Sequence, residues 1–160
     1  MWWILLAVAA QTPSTSKYQR AAPQQPIAFS HRLHAANGLP CAQCHPIPEP
    51  GDFATIAKPP VCMGCHASIK KDSPQIQKLA AFHTEGRRVP WAPVYRITDY
   101  VSFSHKKHTS AEGVTCETCH GPVAERDVLR REKDISMAGC MDCHRTFKIS
   151  NDCLLCHDQR

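Results

Sequence analysis

Apolar residues in this chain rarely fall into a long periodic run. The clearest exception is "DSPQIQKLAAFHTEG", residues 72–86, where Ile76, Leu79, Ala80 and His83 recur at i, i+3, i+4 and i+7. That spacing marks one face of a helix. Ser73 or Asp72 stands where a cap belongs, Pro74 suits the first helical position and Gly86 suits the end. His83 is therefore expected on the same face as the apolar residues. The next stretch, "RRVPWAPVYRI", holds two prolines and a short alternating run, so it is expected to be extended, with Trp91 as a lid. At the start, "MWWILLAVAA" is apolar and ends in small residues, which reads as a signal or short leader over residues 1–10. It is shorter than the roughly 20 residues that span a bilayer as a helix. Retained, it would allow membrane association. Residues 11–26, "QTPSTSKYQRAAPQQP", are polar and Pro-rich and read as a flexible tether.

Residues 27–160 contain a repeat. "FSHRLHAANGLPCAQCH" aligns with "FSHKKHTSAEGVTCETCH", both reading F-S-H-x-x-H and then C-x-x-C-H. In each copy a serine, Ser30 or Ser104, occupies a helix N-cap position, where its hydroxyl can accept from an early backbone N–H. Two histidines then fall in the first turn. The body divides on this pattern into related halves of about 27–86 and 98–160.

Composition now changes the picture. Thirteen prolines and 7% aromatics are a poor basis for a side-chain core. The ten cysteines form five pairs at spacing three: Cys41/Cys44, Cys62/Cys65, Cys116/Cys119, Cys140/Cys143 and Cys153/Cys156. Each pair is followed at once by a histidine: His45, His66, His120, His144 and His157. Five such coincidences by chance are on the order of one in a million, so the pattern reads as c-type haem attachment. Spacing of three brings both sulfurs to one side of a turn, where they bond two vinyl groups, and the adjacent histidine reaches the iron. Disulfide scaffolds and zinc knuckles need no histidine after every pair. The implied cofactors are five covalently bound haems c. The expected fold is mostly irregular with short α-helices, a pentahaem c-type cytochrome whose core is formed by the haems.

Five histidines remain: His31, His34, His83, His105 and His108. Five haems need five sixth ligands, so the expectation is that all five irons are gripped by two imidazoles. Of the methionines, only Met137 is placed to compete, since Met63 and Met141 lie inside attachment loops and Met1 lies in the leader. Histidines three apart on a helix rise about 4.5 Å and diverge by about 60°. They cannot share one iron, but they can serve two neighbouring haems. The first half holds two motifs and three spare histidines and the second half the reverse, so one ligand is expected to cross. The formal charge of +5 is outweighed by two propionates on each haem, so it does not imply nucleic-acid binding.

F-S-H-x-x-H ahead of C-x-x-C-H resembles the class III type of small multihaem cytochromes c. The second half, with "VPWAPVYRITDYVSFSHKKH", "GVTCETCHGPV" and "SMAGCMDCHR", resembles the pentahaem cytochrome subunit of alternative complex III, the bacterial quinol-oxidising complex. The class III resemblance implies that His31 serves the Cys41/Cys44 haem and His105 the Cys116/Cys119 haem. It also implies a periplasmic or extracytoplasmic protein carrying electrons between redox partners, other cytochromes or a membrane quinol-oxidising complex. Two alternatives compete with this reading. One is a multihaem reductase with an open iron; the other is a fixed haem subunit of a respiratory complex or filament.

Overall fold

The computed structural model describes residues 20–157. The leader 1–10 and most of the tether fall outside the described residues. The tether's end is fastened to the body: Gln25 donates through Nε2 to Ala92 O at 2.8 Å and accepts from Ala92 N at 2.9 Å.

Short helices separated by irregular chain make up the rest, with no strand among the described residues. In order they are α1 (His31–Ala36), α2 (Cys41–Cys44), α3 (Pro59–His66), α4 (Pro74–Thr84), α5 (His105–Thr109), α6 (Cys116–His120), α7 (Met137–Thr146) and α8 (Cys153–Cys156). A 3-10 turn, Val123–Glu125, follows α6. Among the described residues no helix is long and apolar enough to cross a membrane. Every cysteine pair, Cys62/Cys65 of α3 included, lies in a helix, because a C-x-x-C pair needs one helical turn to bring its sulfurs together.

The expected caps are present. Ser30 accepts from Leu33 N at 3.1 Å and Ser104 from Lys107 N at 3.3 Å. α4 begins at Pro74 behind Ser73 and stops before Gly86, whose φ of 64° lets the chain leave the helix. Its face bears Ile76 and Leu79, which pack against α3.

Side-chain packing is sparse. Only Ile27, Leu79 and Val89 are buried apolar residues among those described, with Cys62, Met63, Ile76, Phe82 and Trp91 half-covered around them. Trp91, expected as a lid, joins this cluster and meets Phe29 edge-on at 6.2 Å. Three buried side chains contribute only a few kcal/mol, at about 1.5–3 kcal/mol each. Ordering the backbone costs about 1–2 kcal/mol per residue. A chain of this length therefore cannot fold on that cluster. A variant with all ten cysteines changed to alanine, which cannot attach haem, should lack the far-UV circular dichroism of helix that the holoprotein shows.

Candidate haem sites

Each F-S-H-x-x-H copy builds the same device. In α1, Phe29 lies near-parallel to His34 (4.3 Å between ring centres, 16°) and edge-on to His31 (4.8 Å, 77°). In α5, Phe103 does the same for His108 (4.4 Å, 26°) and His105 (4.9 Å, 89°). The phenyl ring separates the two imidazoles and fixes their directions. The serine at each N-cap has a second task. Its backbone carbonyl takes the Nδ1–H of the second histidine: His34 to Ser30 O and His108 to Ser104 O, both at 2.7 Å.

Five further histidines are held through Nδ1 by a backbone carbonyl. They are His45 to Thr55 (3.0 Å), His66 to Ile69 (3.0 Å), His105 to Asp52 (2.8 Å), His144 to Ser150 (3.1 Å) and His157 to Tyr100 (3.4 Å). A histidine tied at Nδ1 presents Nε2 as the lone-pair donor, the second-sphere arrangement that metal-ligating imidazoles use.

The rings meet two by two. His31 faces His45 with centres 6.3 Å apart and planes at 8°. His34 faces His66 at 6.1 Å, and His108 faces His144 at 6.3 Å. Metal–imidazole bonds of about 2.0–2.1 Å on either side of one ion put ring centres about 6.3 Å apart. The three separations therefore match an iron held between each pair. His105 lies near His120: His120 is half-buried, and burial first, then His105 and His45, push its pKa below the ordinary value. His31 is pushed down to about 4 by burial, with His45 and His34 adding to it. Both rings are thus neutral near pH 7, the form that binds iron.

His120 is also braced from outside. Tyr95 sets its ring edge-on at 4.7 Å, donates its hydroxyl to His120 O at 3.2 Å and accepts from Glu132 N at 3.0 Å. The Glu132 carboxylate takes Arg126 in a fork, at 2.7 and 3.0 Å. Neither Phe29, Phe103 nor Tyr95 was singled out from sequence. A phenylalanine opening both repeats was the available signal for the first two.

None of the ten cysteines is paired with another in a disulfide. Burial pushes up the thiols of Cys62, Cys116, Cys119 and Cys140, and a thiol from another motif adds to each. These neighbours are Cys44, Cys41, Cys143 and Cys156 respectively. Cys44 is raised by burial and then by Cys41. Thiols of different motifs therefore sit side by side.

The structure departs from the sequence reading at His83, which lies exposed on the last turn of α4 rather than with the buried face on which periodicity put it. Cys41, Cys65, Cys116 and Cys153 are exposed, and the other six cysteines are half-covered. The ring of His157 lies beside Tyr100, with centres 6.0 Å apart and planes at 20°. Met137 opens α7 and is exposed.

Comparison with known proteins places the chain among multihaem cytochromes c. Residues 7–90 match the family described as class III cytochrome C, and residues 101–158 match that described as cytochrome c7 and related cytochrome c. A relative from Nitratidesulfovibrio vulgaris (strain Hildenborough), named as a menaquinone reductase, multiheme cytochrome c subunit, is 29% identical over 161 residues. The alignment covers 84% of this chain and 77% of the relative.

Ser30 caps α1 and also donates to Asp127 Oδ1 at 2.5 Å, beside the Arg32–Asp127 ion pair at 2.9 Å. Ser30→Ala should cost about 1 kcal/mol through the cap alone. That lowers the melting temperature of the holoprotein by roughly 2–4 °C, read by thermal unfolding.

Proposed function

The chain belongs to the class III cytochrome c family, and from that premise we propose that it is a five-haem electron carrier working outside the cytoplasm beside a membrane quinone-linked oxidoreductase. It is a multihaem c-type cytochrome transferring electrons between redox partners. The observation that carries the finer reading is the meeting of imidazoles in couples at the separation an iron requires.

When bound, the haem irons supply one-electron oxidation and reduction. The chain's part is to hold them. Cys41/Cys44, Cys62/Cys65, Cys116/Cys119, Cys140/Cys143 and Cys153/Cys156 would form the thioether bonds. His31 with His45, His34 with His66, His105 with His120 and His108 with His144 would close four irons. His157 would take the fifth from one side. By number His83 remains as a sixth ligand, but α4 packs on α3 of the second motif while Tyr100 lies beside His157, so the arrangement does not pair His83 with His157.

This reading makes the protein itself no catalyst, because a closed iron offers no place for a substrate. The relative's name places it in a menaquinone reductase, and the second half resembles the cytochrome subunit of a quinol-oxidising complex. Both support a fixed place in a quinone-linked respiratory complex, with other cytochromes or that complex's subunits as partners.

Pyridine haemochrome analysis of purified protein should give five haems per chain. Carbon monoxide uptake by the reduced protein tests the sixth ligands: almost none, with one site opened by His83→Ala, keeps His83 in the ligand set. Uptake of one equivalent by the unaltered protein would remove His83 from the ligand set. Lacking the methionine that raises potential, the haems should titrate well below His/Met cytochromes c.

A further inference from the structure

The attachment motifs do not meet one another in the order in which the chain presents them. We infer that they line up in space as Cys62/Cys65, Cys41/Cys44, Cys116/Cys119, Cys140/Cys143 and Cys153/Cys156. The first motif, not the second, then joins the two halves, and the second and fifth form the ends. The inference rests on the reading that each motif carries a haem, and it adds the path between them.

Four contacts make the line. The α1 helix joins the first two motifs, because His31 faces His45 and His34 faces His66. The α5 helix joins the third and fourth in the same way, with His108 facing His144 and His105 beside His120. A turn joins the fourth and fifth. Ser150 O holds His144, Asn151 donates to Met141 O at 3.3 Å, and Asp152 then caps α8 at Leu154 N, where the last motif begins. The thiols of Cys140 and Cys156 are neighbours at this point.

The fourth contact crosses between the halves. Residues 51–55 form a strap that holds one imidazole from each side. Thr55 O takes His45 of the first motif, and Asp52 O, three residues earlier, takes His105, the histidine beside His120. The strap is sewn to α5 by Lys106 N to Gly51 O at 2.9 Å and Ser104 Oγ to Gly51 O at 3.3 Å. Lys106 Nζ reaches Glu49 at 2.5 Å. The Cys41 and Cys116 thiols are also neighbours, Cys41 helping burial to raise the Cys116 thiol. Gly51 is what allows this approach. Its φ is +100°, and a Cβ there would stand 2.5 Å from Lys106 Cβ. The second motif's thiol neighbour, by contrast, is Cys44 of the first. An electron passing from one half to the other must therefore cross at the Cys41/Cys44 site.

Two-dimensional exchange NMR of the full holoprotein, followed through stepwise oxidation, measures how oxidising one haem shifts the midpoint of another. The shift should be large between the Cys41 and Cys116 haems and small between the Cys62 and Cys116 haems. The reverse ranking overturns the order. Gly51→Ala should reduce the Cys41–Cys116 shift, whereas Gly38→Ala should not, since Gly38 shares a positive φ but has nothing within 4 Å of its added Cβ. An unchanged shift in Gly51→Ala removes the strap as the junction. If Gly51→Ala fails to fold, the unaltered protein still decides the order. Missing haems or high-spin irons would defeat the functional reading itself; five low-spin haems in chain order would defeat only this inference.

Discussion

One hydrogen bond, repeated, organises the molecule: the imidazole Nδ1–H donated to a backbone carbonyl. A free histidine side chain has two nitrogens, two tautomers and a ring that can turn. Tying Nδ1 removes all three freedoms at once, and Nε2 is left pointing one way with its lone pair available. Seven of the histidines are tied this way. The carbonyls come from helix caps and from loops without regular structure, so the irregular chain is the part that aims the imidazoles. This explains why a protein with so few buried side chains has so definite an arrangement of rings. Its organisation lies in directional polar bonds around the proposed irons rather than in apolar packing.

The repeated module shows how economical that scheme is. One serine supplies a hydroxyl to its own helix and a carbonyl to the second histidine, while the preceding phenylalanine wedges the two rings apart. A five- or six-residue helix thereby carries two differently directed donors, which no apolar stripe on so short a helix could do. Both copies have the same geometry although only the F-S-H-x-x-H residues are shared, so these few positions suffice to specify it. The family matches, one ending at residue 90 and the other beginning at residue 101, fall one on each module.

Much of this was legible in the sequence because the chemistry is local. C-x-x-C-H carries its own meaning within five residues. H-x-x-H carries the geometry of a helical turn, and Ser30, Ser104, Pro74 and Gly86 mark ends that depend only on nearest neighbours. What was not legible depends on the path of segments with no period. That Thr55 and Asp52 would hold imidazoles from different halves follows from where residues 46–57 run in space, and carbonyls have no residue type to betray them. The same holds for Tyr95 and the Glu132–Arg126 fork behind His120. The apolar face of α4 was read correctly, yet it packs on α3 and leaves His83 exposed. Periodicity tells which residues share a face, not what that face will meet.

Gly51 shows why two modules became one body instead of two beads. Each half pairs its own imidazoles, so axial pairing alone would leave the halves independent apart from whatever His83 contributes. The fusion comes from the backbone. The strap approaches α5 closely enough that any side chain at position 51 would collide with Lys106, and its carbonyls reach into both halves within five residues. Arg32 N bonding to Arg126 O at 3.0 Å, beside the Ser30–Asp127 bond, adds a second seam on the other side of α1. With a seam on each side of the first motif, the halves cannot hinge apart without breaking the hold on His45 or on α1. A conductor needs fixed spacing between its stations. In this chain that spacing is set where the two repeats meet, by glycine and carbonyl geometry.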